Sequence, residues 1–379
     1  MKGVIGRVLK GLLRFVALIA IVIGLRLVLG WVLQLAPHPH EHAYEDEALR
    51  DRALKLHDDA IVVDGHNDVA FWILEHEFDL GMDGDEPGDR YPFFYNLFPP
   101  LLPHGDNTGS HLDLTRARKG GLDAQFFSIY VDCDYADPGL AAEARERALD
   151  MIEALEGSIS RNSDAVEIAY SAHDVERIVS EGRLAAILAI EGGHAIEDDL
   201  ATLGEFHARG VRYITLTHTC SNTWADSSTD DAINNGLSPF GRDVVHEMNR
   251  LGIIVDVSHV SDDTFWDVME ITGAPVMASH SNVRAIADSP RNLSDDMILA
   301  VADNNGVVMI NFMNYFVDPA RAALWGYLPR TEVTGSHWFV HPRHPETPLA
   351  LMVDHIDHAV QVAGVDHVGL GSDFDGTPT

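Results

Sequence analysis

Eight short apolar segments, each separated from the next by polar or helix-patterned sequence, constrain this chain more than any other feature. They lie at 61–63 (IVV), 123–131 (DAQFFSIYV), 184–190 (LAAILAI), 211–217 (VRYITLT), 253–257 (IIVDV), 275–278 (PVMA), 306–312 (GVVMINF) and 367–371 (HVGLG). Near-continuous apolar runs rich in branched residues are typical of strands buried on both faces. Helical patterning occupies 45–59, 140–159, 198–208, 239–251, 262–271, 294–304 and 349–363. Strands alternating with helices give parallel βαβ units, and eight units are the count of a closed (β/α)8 TIM barrel. The eighth segment lies close to the last residue, Thr379. The expectation is therefore a barrel truncated after strand 8, without the helix that should cover it.

The polar residues that follow these segments carry the chemistry. The first segment leads into Asp64-Gly65-His66-Asn67-Asp68, where Gly65 is expected to end the strand and extended backbone to place His66 and Asp68 on one face. Glu191, His218, His259, His280 and Asp373 each lie at or just past the end of another strand. In an eightfold barrel those ends converge on the face where the active site forms. Four histidines and three carboxylates exceed the needs of one tetrahedral zinc. They suit two divalent ions about 3.5–4 Å apart, which activate water and polarise a substrate oxygen. His66 and Asp68 are expected to hold one ion, His259 and His280 the other, with Glu191 bridging. His218 and Asp373 are then left for substrate polarisation and proton transfer.

The N-terminus differs from the rest. Lys2, Arg7, Lys10 and Arg14 precede a largely apolar stretch of 19 residues, 15–33, interrupted by Arg26. Its length is close to the ~20 residues that span a bilayer. Arg26 opposes insertion by roughly 2–3 kcal/mol. A basic flank before an apolar run is the pattern of a signal anchor or signal peptide, with the remainder of the chain outside the cytoplasm, periplasmic or cell-surface. The expected organisation is an anchor at 1–36, a linker at 37–44 and a catalytic barrel at 45–379. A formal net charge of −33 excludes a nucleic-acid partner, because little could neutralise phosphates.

Seven motifs, DGHND (64–68), EGGH (191–194), TLTH.C (215–220), DVSH (256–259), SHS (279–281), PRN (290–292) and GSDFDG (371–376), resemble the membrane (renal) dipeptidase family of dinuclear zinc peptidases. The resemblance runs in order from about residue 50 to the last residue. It implies two Zn2+ ions, one held by His66 and Asp68, one by His259 and His280, with Glu191 between them. It further implies that His218 contacts substrate and steadies the tetrahedral intermediate, that Arg291 binds the terminal carboxylate of a dipeptide, and that Asp373 is the acid/base. A hydroxide bridging the metals would be the nucleophile. The resemblance also pairs Cys133 with Cys220, and an exported chain permits that disulfide.

Residues 317–347 form an insertion relative to the mammalian pattern, expected near the active face. Two other functions are compatible with parts of the pattern: a dinuclear amidohydrolase acting on cyclic amides or phosphoesters, and a non-catalytic peptide-binding barrel. Asp68 where the first rival more often has a second histidine, and a full ligand set where the second would have lost some, weigh against them. The preferred dipeptide, tolerance of a D-residue, β-lactam hydrolysis and assembly as a homodimer are left open by the residues.

Overall fold

A computed structural model describes residues 47–82, 110–325 and 347–377. The chain divides into two compact units, Met1–Leu56 and His57–Thr379. The expected anchor and linker lie outside the described residues, among which no helix is long and apolar enough to cross a membrane.

Helix α1 (Glu47–Asp59) precedes strand β1 (Val63–Asn67) and helix α2 (Val69–His76). Then follow α3 (Leu114–Gly120), β2 (Ala124–Tyr130), α4 (Ala141–Arg161), β3 (Val166–Ile168), α5 (Ala172–Ser180), β4 (Leu184–Glu191) and α6 (Leu200–Ala208). The second half continues through β5 (Val211–Thr215), α7 (Pro239–Leu251), β6 (Ile254–Asp256), α8 (Asp262–Ile271), β7 (Met277–Ala278) and α9 (Asp295–Asp303). It ends with β8 (Val307–Ile310), α10 (Asn314–Val317), α11 (Pro319–Trp325), α12 (Leu349–Ala363) and β9 (Val368–Leu370).

All pairings between these strands are parallel. β1 pairs with β2 and β9, and β2 pairs with β4, so the sheet closes into an eight-stranded barrel. The ninth strand, β3, is an addition. It lines Leu184–Ala186 of β4, and β5 takes over the same edge from Leu188 to Glu191. Three residues, Val-Glu-Ile, are too short to show a period, which is why β3 has no signature in the sequence.

Local chemistry sets the helix starts. Ser171, Asp199, Ser238, Ser261 and Ser294 each accept a backbone N–H at the head of a helix. Such caps contribute about 1 kcal/mol each. Period-two alternation then sorts the strand residues. On β4, Ala185, Ile187 and Ala189 point into the barrel with Phe126, Tyr213 and Met309, while Ala186, Leu188 and Ile190 pack outward under the helices. Each fully buried Leu, Ile or Phe stabilises by roughly 1.5–3 kcal/mol. Glu191 continues the inward set at the barrel mouth.

One expectation needs correction. β1 does not stop at Gly65; it runs through Gly65 and His66 to Asn67, with a shift of register between Asp64 and Asn67. Gly65 is needed there because a Cβ would come within 2.7 Å of the Ser279 carbonyl oxygen. Asp68 is the residue before α2, at φ −111° and ψ 21°, so it approaches His66 through a turn rather than along an extended face. The insertion at 317–347 begins at the last residue of α10 and contains α11; residues 326–346 lie outside the described residues.

Candidate metal centre

The mouth of the barrel gathers the seven strand-end residues expected to build the site. His66 sits within β1, Asp68 just past it, and Glu191 ends β4. His218, His259, His280 and Asp373 lie two or three residues beyond β5, β6, β7 and β9. Glu191 is the hub. Its Oε2 lies 3.5 Å from His66 Nε2, and its Oε1 lies 3.1 Å from His259 Nε2 and 3.2 Å from His280 Nε2. Asp68 Oδ2 is 3.5 Å from His66 Nε2. Three triads have ligand atoms within 4.8 Å of one another: His66–Asp68–Glu191, Glu191–His218–His259, and His66–His280–Asp373.

This donor set fits a metal pair. One carboxylate presents separate oxygens to two groups of imidazoles, an arrangement suited to bridging. His66 Nε2 and Asp68 Oδ1 are buried without a hydrogen-bond partner, and such orphans are expensive unless something else satisfies them. His259 Nε2 and His280 Nε2 approach to 2.8 Å, two ring nitrogens aimed at one point. Imidazole nitrogens with carboxylate oxygens are the donors zinc favours.

Burial pushes the Glu191 carboxyl up, yet His66 and His218, with His259 and His280 close against Oε1, outweigh it and hold the group well below the usual range. His259 and His280 are pushed well down by burial and by neighbouring cations, which favours the neutral form that a metal requires. Burial raises Asp373 to about 7, near the value an acid/base group needs at neutral pH. His218 is also lowered by burial. Its Nδ1 meets the Thr219 hydroxyl at 3.2 Å; when Thr219 donates there, the ring proton sits on Nε2.

Arg291 is buried behind this cluster. Its Nη2 donates to the His280 carbonyl at 3.2 Å and its guanidinium lies over the Phe316 ring at 5.1 Å. Nε and Nη1 have no hydrogen-bond partner, so the guanidinium keeps unsatisfied donors for an anion. The Cys133–Cys220 disulfide forms, with Cα atoms 5.8 Å apart, and Cys133 Sγ lies 3.8 Å from His218 Nδ1. His259 and Asp373 adopt left-handed backbone, φ 69° and 61°, a conformation that costs about 1–3 kcal/mol and clusters at working sites.

Several supporting residues escaped the sequence reading. Tyr213, Asp256, Ser279 and Asn311 hold the rings and carboxylates in place, and Tyr130 packs edge-on against His218 with ring centroids 4.9 Å apart. Asp256 and Ser279 stand within the DVSH and SHS motifs, and a carboxylate or hydroxyl shortly before a ligand histidine was the available signal. Nothing in the sequence distinguishes Tyr213 or Asn311 from ordinary strand residues. His194 of EGGH faces away: its Nε2 donates to the Asp132 carbonyl at 3.1 Å, and burial lowers it to about 4.

A family model described as membrane dipeptidase (peptidase family M19) matches residues 50–379. Dipeptidase tcpJ of Claviceps purpurea (strain 20.1) is 36% identical over 324 residues, covering 83% of this chain. The chain spans 66% of the length of that relative. The crystal structure of the probable dipeptidase PvdM from Pseudomonas aeruginosa aligns with TM-score 0.70 at 27% identity, covering 86% of each chain. A metallo peptidase from Rhodobacter sphaeroides, liganded with a phosphinate mimic of the dipeptide L-Ala-D-Ala, aligns with TM-score 0.66 at 26% identity, over 84% of this chain and 87% of that one.

Proposed function

The chain belongs to the membrane dipeptidase family, and from that membership we propose that it is a metallodipeptidase that hydrolyses dipeptides with two zinc ions. The observation that carries this reading is the Glu191 carboxylate, whose two oxygens face separate histidine groups.

His66 and Asp68 would hold one ion, His259 and His280 the second, and Glu191 both. When bound, the pair supplies water acidified toward pKa ~7 as nucleophile and polarises the scissile carbonyl. Arg291 offers its guanidinium to the dipeptide's terminal carboxylate, which selects a free C-terminus one residue from the scissile bond. His218 donates from Nε2 to the carbonyl oxygen as charge develops there, a contact typically contributing roughly 3–4 kcal/mol. Asp373, raised by burial, accepts a proton during attack and returns it to the leaving amine.

The barrel is proposed to work outside the cytoplasm on an N-terminal signal anchor. The basic flank and apolar run at 15–33 and the Cys133–Cys220 disulfide support that placement.

Metal analysis of the purified chain, with a screen of L-L and L-D dipeptides before and after chelation, tests the activity. Two zinc equivalents and chelator-sensitive cleavage are expected. Metal-independent cleavage, or metal binding without cleavage of any dipeptide, contradicts it. Sedimentation of the same sample separates a monomer from a homodimer.

A further inference from the structure

Strand β5 presents Tyr213 and Thr215 on the same inward face, two residues apart. Each begins a chain of hydrogen bonds that ends on a ring facing Glu191. The Tyr213 hydroxyl lies 2.7 Å from His66 Nδ1 and 3.2 Å from the Gly65 carbonyl oxygen. Because the carbonyl only accepts, the phenol proton goes to it and the phenol oxygen receives the proton of His66 Nδ1.

The second chain is longer. The buried Asp256 carboxylate accepts four donors: Thr215 Oγ1 at 2.5 Å, Ser279 Oγ at 2.6 Å, Ser279 N at 2.9 Å and Ser258 N at 3.1 Å. The Ser279 hydroxyl has one proton, and the carboxylate takes it. Its oxygen, 2.7 Å from His280 Nδ1, is left as an acceptor for that ring's Nδ1–H.

We infer that Tyr213 and Asp256 are positioning residues for the metal ligands: Tyr213 directly, and Asp256 through the Ser279 hydroxyl, hold His66 and His280 in the tautomer protonated on Nδ1, so that Nε2 of each ring faces Glu191. This rests on the metal reading of the site. Groups that orient a ligating histidine in this way typically change metal affinity by about 10- to 100-fold when removed. The two rings have different partners, a neutral phenol for His66 and a relayed anion for His280, so the two metal-binding steps should respond to different substitutions.

The full chain, stripped of metal and titrated with zinc against a chromophoric chelator, tests the inference. Tyr213→Phe is expected to weaken one binding step by about 10- to 100-fold and Ser279→Ala the other, with Ser279→Thr restoring the parent curve. A parent chain that binds no zinc sinks the metal reading itself. A parent that binds two ions while Tyr213→Phe and Ser279→Ala titrate as it does overturns the positioning roles alone. The parent also carries an independent measurement that no folding defect can obscure. With 15N in its histidine rings and zinc bound, His66 and His280 should each show a protonated Nδ1 and a metal-shifted Nε2. A deprotonated or metal-bound Nδ1 on either ring overturns the assignment for that ring.

Discussion

Asn311 Nδ2 donates to Asp373 Oδ2 across 2.8 Å, tying the end of β8 to the loop after β9. The amide cannot be turned the other way, because Asn311 Oδ1 accepts the Met313 N–H at 2.5 Å. The bond favours the ionised carboxylate and so works against the rise that burial imposes. Asn311→Leu removes it and should push Asp373 further up. The acid limb of the kcat/KM profile is then expected to move to higher pH, and an unmoved limb would show that Asp373 does not govern it.

Asp373→Asn should lower kcat by about 10²- to 10⁴-fold, the usual worth of a positioned acid/base. Zinc content, read by metal analysis, is expected to stay at the parent level. Activity near that of the parent would remove Asp373 from the chemistry.

The same substitution has a signature in stability. The Asp373 pKa is raised from 3.8 to about 7, so between those values the folded metal-free chain binds more proton than the unfolded one. Stability from this group is therefore full below about pH 4 and is lost as pH rises toward 7. Its size is bounded at about 4 kcal/mol. In chelator, Asp373→Asn should gain stability relative to the parent as pH goes from acid to neutral, as read by denaturant midpoints. A constant difference across that range would contradict the raised pKa.

Arg291→Lys keeps the charge but loses the paired planar donors. Hydrogen bonds to a charged group typically contribute about 1.5–3 kcal/mol, so kcat/KM for dipeptides should fall by about 10- to 100-fold. Dipeptide amides, which lack the terminal carboxylate, should be cleaved poorly by both forms and show little difference between them. An equal loss on acids and amides would place Arg291 elsewhere in the reaction.

The Cys133–Cys220 bond closes 87 residues of chain, and its removal should cost about 2–4 kcal/mol. Cys220→Ser is expected to show that loss by denaturant titration. Because Cys133 lies beside His218 Nδ1, kcat should fall as well. Unchanged stability would mean that the bond is not formed in solution.

Much of this architecture was legible in the residues. Eight apolar runs gave the eight barrel strands because a strand buried on both faces has little freedom in composition. The convergence of His66, Asp68, Glu191, His218, His259, His280 and Asp373 was legible because a barrel gathers its strand ends on one face, whatever their separation in sequence; Arg291 entered only through the family resemblance. β3 was not, since three residues carry no period. The path by which Asp68 reaches His66 was not legible either, since the course of β1 through Gly65 depends on how closely Ser279 packs against it.

By itself, then, the sequence determined which residues could serve and on which rim they would meet, because hydrophobic period and residue chemistry are local properties. Tertiary structure decided the rest. Only the closed barrel puts Tyr213 against His66, Asn311 against Asp373, and Asp256 within reach of His280 through Ser279. Tyr213 reaches His66 across the barrel interior, whereas the other contacts join neighbouring strand ends, and register and burial set them all. No spacing along the chain encodes them, yet they set which nitrogen of each ring carries its proton and where the Asp373 carboxyl titrates.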